Sequence, residues 1–300
     1  HLPRSYRDLP QRYAETTMVY RDEQSGELSG LARVLSITQD DAHVFCRESQ
    51  VKDEVLKIAK IIETFYQTFN FDLQIRLSLH DPEHLEKYLG DEATWKKTEN
   101  NLRELLKESN LEFSEGIGEA AFYGPKIDFM AQDSLGRKWQ VATIQLDRNL
   151  PERFDLYCIN EKSEQERIVM IHAAITGAIE RFAAVLIEHL AGDFPLWLAP
   201  VQIKILTVSE NHVDFAKTLA TEFKAHSLRV EIDDSNETLG NKIRKNSAEK
   251  IPYTLVIGDK EIAESSLAIR VRGQKDLLNI NKEEFIALCK TKIQNRESAL

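Results

Sequence analysis

Six residues, Thr38-Gln39-Asp40-Asp41-Ala42-His43, set an amide, two carboxylates and an imidazole in a row with little apolar dilution. Such a run cannot be core on both faces. Successive side chains of a strand point to opposite faces, so Gln39, Asp41 and His43 project from one face. Those three types can read a small polar ligand, hold a cation, or both. Upstream, Val19-Tyr20-Arg21-Asp22-Glu23 and Ala32-Arg33-Val34 flank a polar segment with Ser25, Gly26, Ser29 and Gly30, which are turn formers. The pattern predicts antiparallel strands over 15–21 and 32–46 joined by a long loop. With an arginine on each, they make a pocket suited to a polyphosphate.

Beyond this hairpin the period changes. Val51, Val55, Ile58, Ile62 and Phe65 recur at helical spacing and predict a helix over 51–70. Residues 71–79 alternate, with Leu73, Ile75, Leu77 and Leu79 on one face of a half-buried strand. A charged amphipathic helix is expected over 91–110. Residues 126–132 and 137–147 read as a hairpin around Ser134-Leu135-Gly136. On its first strand Lys126, Asp128 and Gln132 share a face opposite Ile127 and Phe129. On its second, Trp139, Val141, Thr143 and Gln145 are expected to share one. A polar sheet face is either a floor under a ligand or a side turned to water. An apolar strand over 168–175 carries His172, Gly177 breaks it, and a helix over 178–191 follows. That puts Arg181 in a first helical turn, where free N–H groups and the helix dipole already favour an anion.

Composition narrows the function classes. The 300 residues suggest roughly two domains and an ordinary core. The N-terminus lacks the apolar stretch of a signal peptide. The longest apolar run, 168–191, is interrupted by His172, Glu180, Arg181, Glu188 and His189, so no membrane association is expected. Cys46, Cys158 and Cys289 are odd in number and scattered. That argues for a reducing interior, cytoplasmic or organellar. The net charge of −10 does not advertise a nucleic-acid binder. Residues 201–300 are nearly neutral, however, with 16 Lys and Arg against 15 Asp and Glu, and with clusters at 242–245 and 270–272. A solvated helix face explains each cluster about as well as RNA binding does.

Gly192, Pro195 and Pro200 punctuate the chain, and a domain boundary is placed near 198. Beyond it strands at 202–208, 229–233, 253–257 and 268–272 alternate with helices at 212–226, 239–250 and 282–294. This order implies a mostly parallel α/β sheet with helices on both faces.

Arg12-Tyr13-Ala14-Glu15, Tyr20-Arg21-Asp22-Glu23 and the TQDDAH run together resemble motif 2 of the class II aminoacyl-tRNA synthetases. The wording is most similar to that of the threonyl enzymes. Ala121-Phe122-Tyr123-Gly124-Pro125-Lys126-Ile127-Asp128-Phe129, Ile144-Gln145-Leu146-Asp147, Met170-Ile171-His172 and Gly177-Ala178-Ile179-Glu180-Arg181-Phe182 match in the same order, the last as motif 3. The resemblance covers essentially the whole chain. It implies a class II α+β catalytic core, an antiparallel sheet with flanking helices, over 1–197. A smaller α/β anticodon-binding domain with a mostly parallel mixed sheet would occupy 198–300. The family has a longer N-terminal stretch with motif 1, so the core is expected to begin incomplete.

The resemblance also implies roles. The activity would be ATP-dependent activation of threonine to threonyl-adenylate and transfer to the 3′ end of tRNA(Thr). Arg21, Arg181 and Lys126 would act on the reacting groups. Arg21, Glu23, Arg33, Ile37, Gln39, Gln145 and Arg181 would hold ATP with Mg²⁺. Gln39, Asp41, Tyr123 and Lys126 would hold threonine. His43 and His172 match two zinc ligands, and the third, a cysteine, is expected upstream of His1. Cys46 does not match it and is read as core. Homodimerisation would run through motif 1. Two positions depart from the family pattern: Ile37 stands where an aromatic usually stacks on adenine, and Tyr20-Arg21-Asp22-Glu23 replaces His-Arg-Asn-Glu. The competing reading is a synthetase-like fragment or paralogue that binds tRNA without activating threonine. A prolyl or histidyl enzyme is weakened by the two histidines together. A dinucleotide-binding enzyme is unsupported, because Gly116-Ile117-Gly118 lacks the third glycine and its strand–helix setting.

Overall fold

The structure is a computed structural model that describes residues 4–264 and 266–300. It divides into two units, His1–His189 and Leu190–Leu300. In chain order the first contains β1 (Arg4–Ser5), β2 (Gln11–Tyr20), β3 (Ser36–Cys46), α1 (Val51–Gln67), β4 (Leu73–Leu79), α2 (Glu92–Glu108), β5 (Phe113–Ile117) and β6 (Lys126–Gln132). Then come β7 (Lys138–Asp147), α3 (Asn149–Arg153), β8 (Tyr157–Ile159), β9 (Gln165–Arg167), β10 (Val169–Ala174) and α4 (Ile179–Leu190). Seven strands form one sheet in the order β2-β3-β10-β7-β6-β4-β5. Every pairing is antiparallel except β4 with β5.

The alternating pattern sorts this sheet into two faces. Ile127, Ile144, Leu146, Ile171 and Ala173 are buried on one. Lys126, Gln145 and His172, of opposite parity, stand half-buried on the other. Helix α1 packs on β7 and β10 through its apolar stripe. Tyr66, fully buried, donates its hydroxyl to the carbonyls of Val141 and Ile175 at 3.2 and 2.9 Å. The start of α1 is tied to β2 by Glu54, which accepts two bonds from Arg12 at 2.6 and 2.7 Å. Each such fork–fork pair fixes geometry as well as charge.

Several sequence expectations are corrected here. The strand expected from 32 begins at Ser36, because Ser29 and Arg33 pair in a bridged turn and Arg33 is held by carboxylates. The helix expected to reach 70 ends at Gln67, and Asn70 adopts the left-handed conformation at φ 58°. Strands β1, β5, β8, β9 and β15 (Leu277–Asn281) were not foreseen; β5 and β15 are edge strands, and β1, β8 and β9, two or three residues each, form a small sheet of their own in that order. The shared face of Trp139, Val141, Thr143 and Gln145 is broken by a bulge at Val141: Phe129 faces Ala142 while Met130 faces Gln140. One inserted residue inverts the parity beyond it. Gln140 therefore joins Thr143 and Gln145, and Trp139 turns away.

The second unit holds β11 (Ile203–Thr207), α5 (Val213–Ala225), β12 (Val230–Asp233), α6 (Leu239–Ala248), β13 (Tyr253–Ile257), α7 (Asp259–Ala263), β14 (Ser266–Val271), β15 (Leu277–Asn281) and α8 (Lys282–Gln294). Its sheet runs β12-β11-β13-β14-β15, parallel over the first three and antiparallel over the rest. Ile203, Ile205, Phe223, Tyr253, Leu255 and Phe285 lie in its core. Each of the two basic clusters has one member that turns inward. Lys242 is buried and donates to the carbonyls of Thr207 and Asp233 at 2.9 and 3.1 Å. Arg272 donates to the carbonyls of Lys250 and Phe194. Arg244, Lys245 and Arg270 remain exposed. Among the described residues no helix is long and apolar enough to cross a membrane.

The β6–β7 turn is closed by Asp133. Its carboxylate accepts from the backbone N–H groups of Leu135 and Arg137, the Arg137 guanidinium at 2.7 Å and the Trp139 indole at 2.9 Å. Burial works to raise its pKa, but these donors outweigh it and hold the carboxyl at about 2, against an ordinary 3.8. A depressed carboxyl pKa contributes stability in full above the unfolded value and loses it as pH falls through the folded value. Thermal melts followed by circular dichroism should therefore lose Tm between about pH 4 and pH 2 more steeply in the parent than in Asp133→Asn. Identical pH profiles would show that the carboxylate's charge contributes nothing to the turn.

Candidate active site

Strand register builds the site. Lys126 faces Gln145, Gln145 faces His172, and His172 faces His43 across β6, β7, β10 and β3. Four polar side chains thus form one transverse row on the half-buried face. The His43 and His172 rings meet edge to face with centroids 4.8 Å apart. Tyr123 leans over the row: its hydroxyl donates to Gln145 Oε1, and its ring centroid lies 5.1 Å from that of His172. Burial, and then the charges of Asp147 and Asp41, push the Tyr123 hydroxyl up to about 12, so it stays a neutral donor. Asp41 precedes His43 by two residues and so shares its face.

Gln145 also lines an open cavity that continues from the row. Arg21, Glu23, Arg33, Ile37, Gln39 and Arg181 line it, with Gln140, Thr143, Gly177 and Ala178. Asp41, His43, Tyr123, Lys126 and His172 lie outside its lining, along the row. Asp40, on the opposite parity to Gln39 and Asp41, fixes the cavity's far wall. Its carboxylate accepts from the N–H of Ile175 at 2.7 Å and of Thr176 at 3.1 Å, and its N–H donates to the Gly177 carbonyl. Gly177 takes φ +62°, a turn that L side chains adopt only with strain. Glu180, at the start of α4, accepts from the Thr38 N–H with both oxygens at 3.0 Å. These two carboxylates set where α4 begins, and with it the position of Arg181.

Three guanidinium groups converge on the cavity. Arg181 donates its Nε–H to the Ala32 carbonyl at 2.9 Å and forms no ion pair among the described residues. Burial, and then repulsion from Arg21 and Arg33, push its pKa below the ordinary arginine value. Arg33 is engaged by Glu23 at 2.9 Å and Glu27 at 3.1 Å. Glu23 is correspondingly lowered, chiefly by the Arg33 hydrogen bond. Glu23 and Arg33 therefore hold each other in this structure. Ile37 is buried, 6 % exposed, and offers an apolar surface rather than a ring.

Beneath Lys126 sits Asp128, fully buried. It accepts from Ser78 Oγ at 2.7 Å, from Gln140 Nε2 and Thr143 Oγ1 at 2.9 Å each, and lies 3.2 Å from Lys126 Nζ and 3.3 Å from an Arg76 nitrogen. Gln140 was missed as a pocket residue, whereas Thr143 lies on the polar face where the sequence placed it. Gln140 was out of reach of strict alternation, since only the bulge brings it round. Cys46 is fully buried with Val44 on the opposite parity to His43, and burial pushes its thiol up to about 12. Among the described residues no three His, Cys, Asp or Glu side chains cluster as a metal site. The donor set of His43 and His172 nevertheless fits zinc. Two imidazoles converge from paired strands, and the outer nitrogen of one, His172 Nε2, is held at 2.9 Å by Asp147.

The wall that carries Tyr123 rests on Gly124. A Cβ there would stand 2.0 Å from the Leu146 carbonyl oxygen. The obstacle is backbone and cannot rotate away. Overpacking typically costs about 1–3 kcal/mol and occasionally more. Gly124→Ala should lose about 3 kcal/mol in urea unfolding of the first unit; a loss below about 1 kcal/mol would mean that the 123–125 segment moves freely off β7.

Residues 1–190 match the family described as tRNA synthetase class II core domain (G, H, P, S and T), and residues 201–292 match the anticodon binding domain family. The chain is 47% identical over 296 residues to the threonine–tRNA ligase of Bacteroides thetaiotaomicron, covering 98% of this chain and 46% of that one. It is 48% identical over 292 residues to that of Cytophaga hutchinsonii, covering 97% and 45%. The chain thus spans about half the length of the curated relatives it matches. Among solved structures, the RNA binding domain of threonyl-tRNA synthetase from Cryptosporidium parvum superposes with a TM-score of 0.87 at 36% identity, covering 96% of this chain and 72% of that one. The putative threonyl-tRNA synthetase ThrRS-1 from Aeropyrum pernix gives 0.79 at 30% identity, covering 96% and 70%. A prolyl-tRNA synthetase from Cryptosporidium parvum, at 17% identity and 0.68, shares the fold, covering 98% and 55%.

Proposed function

The chain belongs to the threonyl-tRNA synthetase family of class II enzymes, and from that premise we propose that the full-length protein activates L-threonine with ATP and transfers it to the 3′ end of tRNA(Thr). The observation that carries this reading is the continuity between two features: a cavity with three arginines, and a polar row that ends in two imidazoles. Gln145 belongs to both. An anion bound at the arginines would lie next to a ligand bound along the row.

Activation needs no protein nucleophile. The threonine carboxylate attacks the α-phosphate and pyrophosphate leaves. Arg21 and Arg181 would hold the phosphate oxygens and offset the charge that builds in the transition state. Guanidinium groups suit this because they stay charged and donate in parallel pairs. Such preorganised donors, and the alignment of the two reactants, supply the rate. Binding of a polyphosphate, with its Mg²⁺, would also compete for Arg33 with Glu23 and Glu27. Freed of Arg33, Glu23 would accept from the adenine amino group, and Ile37 would give the base an apolar contact in place of stacking. Gln39 and Lys126 would hold the threonine carboxylate, Asp41 its amine, and Tyr123 would close the wall.

Threonine and valine have nearly the same shape, and a purely apolar pocket separates such a pair poorly. A site that must be filled by a hydroxyl separates them well. Zinc, held in part by His43 and His172, would supply that demand by coordinating the amine and hydroxyl together. The second unit would bind the anticodon arm of the tRNA. We further place the protein in a reducing compartment, the cytoplasm, given three unpaired buried cysteines, and as a homodimer at full length.

Threonine-dependent ATP–pyrophosphate exchange tests this on the full-length protein. Exchange should appear with threonine and fall by about 10²–10³ in kcat/KM with Arg181→Ala, the loss typical of a removed transition-state donor. No exchange from a folded, zinc-loaded full-length protein would sink the enzyme reading and leave a tRNA-binding relative.

A further inference from the structure

We propose that Asp147 is a positioning residue: it fixes the His172 ring in the tautomer that leaves Nδ1 available to zinc. The inference rests on the zinc reading above and deepens it.

Asp147 ends β7 and is fully buried. Its two oxygens do separate work. Oδ1 accepts from the backbone N–H of Asn149 at 2.8 Å and of Leu150 at 3.0 Å, opening the short helix α3. Oδ2 lies 2.9 Å from His172 Nε2. Closing a turn does not call for a carboxylate. An asparagine oxygen serves two backbone donors as well, without the cost of burying a charge. The contact that does call for one is the imidazole. An ionised carboxylate only accepts, so Nε2 must carry the ring proton, and the lone pair of a neutral ring then sits on Nδ1. Metal-bound histidines commonly donate their other N–H to such a carboxylate, which fixes the ring and raises its basicity.

The rest of the ring's surroundings agree. His172 packs against His43 on one side and Tyr123 on the other, so its plane is set by contacts and its tautomer by Asp147. The same turn steadies the wall, since Asn149 Nδ2 donates to the Tyr123 carbonyl at 2.7 Å.

Asp147→Asn separates the two duties. Its single amide oxygen is best spent on the two backbone N–H groups, which cannot adapt. The NH₂ then faces the ring, and His172 must shift its proton to Nδ1. The turn survives and the metal-binding nitrogen is blocked. Zinc affinity should be measured in the full-length protein by chelator competition, for the parent, Asp147→Asn and His172→Ala. In parallel, ¹⁵N spectra of ring-labelled histidine would read the tautomer of the metal-free parent, with the His172 signal assigned by its loss in His172→Gln.

We expect zinc to bind about 10- to 100-fold more weakly in Asp147→Asn, at an unchanged circular dichroism spectrum. In the metal-free parent His172 Nδ1 should be bare. A folded Asp147→Asn with parent-like zinc affinity would overturn the positioning role and leave the zinc reading intact. A protonated Nδ1 in the metal-free parent would overturn it even if the variant failed to fold. Zinc retained equally by His172→Ala, or not bound by the parent at all, would remove the zinc reading and this inference together.

Discussion

The polar face depends on where β10 pairs. That strand lies between β3 and β7, and its register sets His172 opposite both His43 and Gln145. A slip of one residue would turn His172 into the core and Ile171 onto the ligand face, because side-chain parity in a strand is strict. None of the groups that prevent the slip faces the ligand. Val169, Ile171 and Ala173 are buried against the helical layer. Tyr66 reaches from α1 to the Ile175 carbonyl, and Asp40 takes the N–H of the same residue and of Thr176. Apolar burial and two polar clamps on β10 and its exit turn thus decide which side chains the site receives.

Those clamps belong to a wider pattern. Asp40, Asp128, Asp147 and Glu180 are carboxylates that sit behind or beneath the site; the three aspartates are each met by two or more donors, and Glu180 takes the Thr38 N–H with both oxygens. Removing a carboxylate from water is expensive, and one left half-paired inside a protein is worse than an apolar residue. Full pairing changes the balance. A carboxylate with several donors in fixed directions accepts few alternative arrangements, so it specifies geometry more than it adds stability. Asp128 shows this most clearly. Its donors come from β4, β6 and both sides of the β7 bulge, so it defines how three strands approach one another under Lys126.

Much of this was legible in the chain itself. The alternation at 38–43, the helical stripe of α1 and the apolar parity of β10 are periodic signals, and periodic signals survive without tertiary information. The site residues Gln39, Gln145 and Arg181 fell in one cavity because the motif wording carried their order. What was hidden has identifiable causes. The bulge at Val141 leaves no composition mark, so Trp139 was assigned to the wrong face and Gln140 was passed over. Strands β5, β8, β9 and β15 exist by pairing to neighbours rather than by their own pattern. Lys242 and Arg272 read as parts of basic surface clusters, yet they turn inward to cap carbonyls. Charge type alone does not say which way a long side chain points. Nor did the motif reveal that Glu23 and Arg33 bond each other.

That last contact bears on how three guanidinium groups can share one cavity in a stable fold. Three guanidinium groups facing one cavity repel, and Arg181 shows it in a pKa pushed down by burial and by Arg21 and Arg33. The chain limits the repulsion in two ways. Arg33 is paired with Glu23 and Glu27, which removes one charge from the cavity without fixing it permanently, since the pair is partly exposed and so weak. Arg181 is steered by a neutral carbonyl, Ala32, which orients the fork without cancelling its charge. Arg21 and Arg181 form no ion pair among the described residues, and of the two Arg181 stands on the helix that Glu180 anchors. A polyphosphate gains most from a cation that is already aimed and not already paired, and Arg181 meets both conditions.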